Sequence, residues 1–162
     1  NKIVVIFLSL FLLLNFTYVA RTMIELHPFE HLYFNFLAGP DMKTIRKNFE
    51  TDYWGLTVRK GLEFLLTYDK SNQIVVIGDF PVWSNQWILS DKDKVRVYVG
   101  HPWDTAGPMP KPKYYMTNFY FTQKEPTYKE IYSVNVKGAD ILKVYELPDS
   151  PDILFNGKFA YR

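Results

Sequence analysis

The pattern His27-Pro28-Phe29-Glu30-His31 spells H-x-x-E-H, in which two histidines can hold a zinc ion while the glutamate activates a metal-bound water. That chemistry needs His27 and His31 on one face of a regular helix and a third ligand downstream. Pro28 forbids helix continuation from upstream, and the flanking residues alternate as in a strand, where positions i and i+4 lie about 13 Å apart. His27, Glu30 and His31 are therefore expected to be interfacial residues beside a membrane, with a zinc hydrolase as a remote alternative. A second constellation, Glu50-Thr51-Asp52-Tyr53-Trp54-Gly55, sets two carboxylates beside two aromatic rings. Glu50, Asp52, Tyr53 and Trp54 could hold a sugar by hydrogen bonds and ring stacking. They could equally start a helix, with Asp52 as N-cap, Glu50 near the positive end of the dipole, and Tyr53 and Trp54 folded into the core. Capping and propensity account for every residue of the segment, which favours the structural role. Asp79, His101, Trp103 and Asp104 form a further polar and aromatic set near the expected carboxyl ends of strands, where ligand sites of α/β folds gather. No nucleophile elbow, phosphate loop or dinucleotide fingerprint occurs in the sequence, so spacing alone assembles no catalytic centre.

The elements that would position these residues follow from periodicity. Residues Ile3 to Ala20 form an uncharged run in which only Ser9, Asn15 and Thr17 are polar. As a helix it spans about 27 Å, close to the bilayer hydrocarbon, with Tyr18 and Arg21 as an aromatic and basic edge. A cleaved signal peptide would have a shorter apolar core and a small residue where Tyr18 stands. The sequon Asn15-Phe16-Thr17 lies inside the apolar run and carries no information on compartment. Asn1 in place of Met leads to the expectation that the span is the last of several in a longer chain.

Beyond it, His31 to Phe36 reads as a strand or extended segment, and Tyr53 to Tyr68 as an amphipathic helix weakened by Gly55 and Gly61. Ile74 to Ile77 is a β-branched run suited to a central strand buried on both faces, and Val95 to Val99 is a second strand. Trp83 to Leu89 between them reads as a short helix or loop. Four prolines between His101 and Lys113 mark a surface loop. Tyr114 to Phe121 and Ile131 to Val136 read as strands, and Lys137-Gly138 turns the chain into a partner strand over Ala139 to Leu147. The expected fold class is α/β, or more closely α+β: one N-terminal transmembrane helix with its exit segment over residues 1–26, then a small mixed-sheet domain with antiparallel C-terminal strands over residues 27–162.

Composition removes other classes. With 19 Lys+Arg against 17 Asp+Glu and a net charge of +2, there is no electrostatic footprint for nucleic acid. Zero cysteine excludes a disulfide scaffold, a thiol nucleophile and a thiolate zinc site. Aromatic residues reach 18% of the chain, which points to a core of flat rings or a surface that meets lipid or sugar.

Taken in order, the apolar span, Leu26-His27-Pro28-Phe29-Glu30, Tyr33-Phe34-Asn35, Leu37-Ala38-Gly39 and Phe49-Glu50-Thr51-Asp52-Tyr53-Trp54-Gly55-Leu56 resemble the C-terminal region of bacterial multi-spanning glycosyltransferases. These enzymes are relatives of the dolichyl-phosphate-mannose protein mannosyltransferases, family 39. Tyr115 to Phe121, Ile131 to Val134 and Gly138 to Tyr145 are similar to the same family's terminal strands, so the resemblance covers most of residues 20 to 147. It implies a polyprenyl-phosphate sugar donor, a protein, lipid or glycan acceptor, and a prokaryotic plasma membrane with residues 27–162 on the extracytoplasmic side. It also implies a catalytic acid in an early external loop outside these 162 residues. No catalytic residue and no cofactor is therefore expected in this chain, and a divalent cation in the parent enzyme is left open. A single-span, membrane-anchored binding module without an enzymatic parent is the alternative.

Overall fold

Ile3 to Phe16 offer no polar face, so a helix there has nothing to turn toward water. In the structure, a computed structural model that describes residues 1–78, 80–100, 110–120 and 125–148, this run is the centre of α1, Lys2–Leu26. Residues 1–18 are all exposed. At 25 residues α1 is about 37 Å long, and it is long and apolar enough to cross a membrane. Exposed leucine and phenylalanine on every side are stable only against lipid or another apolar partner.

The chain divides into two compact units, residues 1–38 and 39–162. In the first, the segment from His31 to Phe36 is not a strand. Glu30–Leu32 is a single 3₁₀ turn, and the N–H groups of Phe29, Leu32 and Tyr33 donate to the carbonyls of Leu26, Phe29 and Glu30. Alternating aromatic and polar residues make a strand only where a neighbouring strand takes the backbone groups. Here local i−3 bonds satisfy them first.

The second unit begins with α2, Met42–Asn48, which the sequence pattern did not reveal. Asp41 is its N-cap and accepts from the Thr44 N–H at 2.8 Å. Then come α3, Leu56–Tyr68; β1, Ile74–Gly78; α4, Phe80–Asn85, followed by a 3₁₀ turn over Gln86–Ile88; α5, Asp91–Lys94; β2, Val97–Gly100; β3, Tyr114–Thr117; β4, Lys129–Val136; and β5, Ala139–Glu146. The sheet order is β2-β1-β3-β5-β4. β1 is parallel to both β2 and β3, while β5 is antiparallel to β3 and to β4. The fold is thus α+β with a mixed sheet and antiparallel terminal strands. The β-branched run of β1 is buried throughout, between two parallel neighbours. Lys137 and Gly138 both take positive φ, 47° and 84°, in the two-residue turn that joins β4 to β5.

Two glycines set the packing distances. An added Cβ at Gly61 would meet Leu142 Cδ2 and Met116 Cε at 2.8 Å, so α3 lies directly on the sheet through this position. The glycine that costs helix propensity is what permits the contact that stabilises the helix. At Gly78 the Cβ would meet the Met116 carbonyl oxygen at 2.2 Å, so β1 and β3 end in close backbone approach. Val58, Leu62 and Leu65 of α3 bury fully, and Phe64 stacks on Tyr132 at 4.4 Å. On the opposite face of the sheet, Ile77, Tyr115, Tyr145 and Leu147 form a separate buried cluster.

Candidate functional site

The loop from Thr51 to Gly55 enters α3 at the carboxyl ends of the parallel strands, the place where open α/β sheets bind ligands. α3 starts at Leu56 rather than Tyr53, and its N-cap position is Gly55. Asp52 still caps it, from three residues further upstream. Its carboxylate accepts from the N–H groups of Leu56 at 2.9 Å and Thr57 at 3.1 Å and from the Thr57 hydroxyl. At 2% exposure this carboxylate is committed to the helix start, where it also meets the positive end of the dipole. Glu50 makes none of these bonds and is exposed.

The expected core role of the two aromatics is overturned. Tyr53 is 44% exposed and Trp54 76% exposed. Their rings meet edge to face at 5.0 Å, and Tyr53 meets Tyr120 at 5.7 Å in the same manner. The start of α3 is displaced by the loop, so residues that would have shared its buried face project before it begins.

The loop is nonetheless fixed. Asn118, just past β3, donates from Nδ2 to the Asp52 carbonyl at 2.8 Å, and Asn85, at the end of α4, donates from Nδ2 to the Trp54 carbonyl at 3.0 Å. Both asparagines are buried. Two side chains from distant segments thus hold the backbone on either side of Tyr53, and the exposed rings stand on a rigid base. Neither anchor could be read from the sequence, where Asn118 fell inside an expected strand running to Phe121. That strand stops at Thr117, and Phe119 takes a left-handed φ of 61°. The Phe119 N–H donates to Thr117 Oγ1 at 2.9 Å, and the turn swings Phe119 under the guanidinium of Arg46, 4.1 Å from the ring centroid.

No family model, curated protein or solved structure matches this chain. The site therefore stands on its own geometry. Between the carboxyl end of α2, the Glu50 to Asp52 loop and the Asn118 to Tyr120 turn lies an open pocket with about 510 Å³ of empty space, its mouth included. Arg46, Lys47 and Glu50 bring charges to it, and Phe119 and Tyr120 bring rings. Burial, then the neighbouring Glu50 carboxylate and Tyr53, push the Tyr120 hydroxyl above its ordinary pKa, so it remains a hydrogen-bond donor at neutral pH.

The H-x-x-E-H residues do something simpler. His27 Nδ1 pairs with Glu30 Oε1 at 2.5 Å, and His31 lies edge to face against Phe29 at 6.2 Å. The Glu30 N–H, and then His27, hold the Glu30 carboxyl below its usual range. Among the described residues no three His, Asp or Glu side chains converge to hold a metal ion. Asp79, His101, Trp103 and Asp104 lie outside the described residues.

Proposed function

We propose that this chain is the membrane-anchored C-terminal region of a glycosyltransferase that takes a sugar from a polyprenyl phosphate on the extracytoplasmic side of a prokaryotic plasma membrane. Its second unit contacts the glycan of the acceptor through Tyr53 and Trp54. The observation that carries the reading is the exposed Tyr53–Trp54 pair on a loop fixed at both carbonyls. A tryptophan three-quarters in solvent adds nothing to the core, yet two buried asparagines hold the loop that carries it, at the Asp52 and Trp54 carbonyls. A rigid, amphipathic ring beside a pocket of hydrogen-bonding groups suits the apolar face and hydroxyl edge of a sugar. The sequence resemblance supplies the reaction, and the long apolar α1 agrees with a site worked at a membrane surface. On this reading the catalytic acid belongs to another part of the enzyme, and residues 39–162 position the acceptor.

The test is sugar transfer from a labelled polyprenyl-phosphate donor in membranes holding the complete enzyme. Y53A and W54A together should lower transfer about tenfold, chiefly through a higher KM for acceptor, with the protein still folded. Unchanged transfer would remove the acceptor role. Sugar binding with no transfer by any form of the chain would leave a membrane-anchored glycan-binding module.

A further inference from the structure

We infer that the pocket beside Tyr53 and Trp54 is an anion subsite, in which Arg46 and Lys47 take a carboxylate or phosphate group borne by the sugar. The inference rests on the glycan-contacting reading and names the chemical class of the ligand. Four observations converge on it. Arg46 Nη1 is buried and has no hydrogen-bond partner in the described structure. A buried guanidinium donor is normally paired, because leaving it without an acceptor forfeits its hydration for nothing. Neither Arg46 nor Lys47 has a carboxylate within ion-pair distance among the described residues, although both line the pocket. Asp140 feels the charge of Arg46 only weakly, and it is already committed to Lys143 at 3.3 Å and to Asn135 at 2.9 Å.

The third observation is the strained turn. A left-handed φ of 61° is rare for a bulky aromatic residue, and such outliers persist only where the surroundings enforce them. Here the enforcement comes from Thr117 and from the tie of Asn118 to Asp52. Its product is the Phe119 ring with its centroid 4.1 Å from the Arg46 guanidinium carbon. A planar guanidinium held in this way matches the two oxygens of a carboxylate or phosphate. The fourth observation is the division of charge across the pocket. Lys47 lies with Arg46 at the end of α2, whereas Glu50 lies beside Tyr120. Glu50 repels an anion but accepts from sugar hydroxyls, and the protonated Tyr120 donates to them. The pocket thus carries two cations at the α2 end and, opposite them, Glu50 and an Asp52 carboxylate already bound by the α3 amides, a division that fits an acidic sugar or a sugar phosphate better than a neutral one or a bare anion.

The experiment measures binding to the full chain in lipid nanodiscs, by calorimetry, of glucose, glucuronate, glucose 1-phosphate and inorganic phosphate. Glucuronate or glucose 1-phosphate should bind at least about tenfold tighter than glucose, equivalent to about 1.4 kcal/mol. Whichever is tighter identifies the anion as carboxylate or phosphate. R46Q and K47Q should each erase most of the preference while leaving glucose binding unchanged. K47Q changes an exposed residue, so it decides the matter if R46Q fails to fold. Equal binding of the three sugars, no binding of either acidic sugar, or a preference that survives K47Q and R46Q would overturn the subsite. Y53A/W54A should weaken all three sugars alike and keep the anion preference. If that double variant changes nothing while K47Q still abolishes glucuronate or phosphate binding, the anion subsite stands and the glycan-contacting role of the aromatic pair falls.

Discussion

Among the described residues, the polar side chains at the amino ends of β1, β2 and β3 are spent on one another, whereas at the carboxyl ends several remain unspent. Arg96 donates to the Asp69 carbonyl at 2.8 Å and to the Ser71 carbonyl at 3.1 Å. The Asp69 carboxylate accepts from the Ser71 N–H at 2.8 Å, the Tyr114 hydroxyl at 3.1 Å and Lys113 Nζ at 3.4 Å. Burial alone would raise the Asp69 carboxyl. The bonds from Ser71 and Tyr114 and the charge of Lys113 outweigh it and hold the group at about 2. These contacts tie the α3–β1 connection to the strands beside it, and they explain themselves as structure. At the other end Asp52, Asn85 and Asn118 are used up in this way, while Arg46, Lys47 and the Tyr53–Trp54 pair have no hydrogen-bonding side-chain partner among the described residues. Groups that a fold positions but does not consume are where a ligand finds its contacts.

Four variants would break or sharpen this contrast. The largest effect is expected from G78A, whose Cβ would drive β1 from β3 at the Met116 carbonyl. A loss above about 4 kcal/mol, seen as an unfolded second unit by circular dichroism, follows from a clash with backbone rather than with a flexible side chain. D52A should cost about 3 kcal/mol in denaturant unfolding, because it strands two α3 N–H groups and the buried Thr57 hydroxyl. A cost under 1 kcal/mol would show that Asp52 is not the cap described here and would free it for ligand contact.

D69N tests the amino-end network. The folded-state value of Asp69 lies below the ordinary 3.8, so its carboxylate stabilises the protein fully above about pH 4 and loses that contribution as the pH falls toward 2. D69N should therefore be about 2 kcal/mol less stable than wild type at neutral pH, with the gap closing near pH 2. Sugar binding should not change. The smallest structural effect belongs to W54A, which should leave stability within about 0.5 kcal/mol, as an exposed side chain does, while it lowers sugar affinity. A large stability loss in W54A would return Trp54 to a packing role.

Much of the second unit was legible because its signals are local. The β-branched run of β1, the turn at Lys137-Gly138 and the apolar positions of α3 each follow from a few consecutive residues. Of the strand or extended segment expected over His31 to Phe36, the strand does not form, because a genuine alternation lacked a pairing partner, while Tyr33 is extended. The misreading of Tyr53 and Trp54 as core followed from starting the helix three residues early. Asp52 did signal a cap, but how far upstream a capping carboxylate stands depends on the loop between, and Asn118 and Asn85 shape that loop from 66 and 31 residues away.

By itself the sequence determined that one apolar helix long enough for a bilayer precedes a mixed α+β unit, because side-chain periodicity and turn sterics act within a few residues of each other. It also marked Glu50 to Trp54 as a place where carboxylates and rings meet. Only the tertiary structure decided which of those groups are consumed and which are offered. It buried Asp52 on the α3 amides, lifted Trp54 into solvent on a loop held by two asparagines, and left Arg46 Nη1 beside Phe119 without an acceptor among the described residues. Each outcome depends on a contact between segments far apart in the chain, where exposure is settled by which surfaces the sheet and helices bring together.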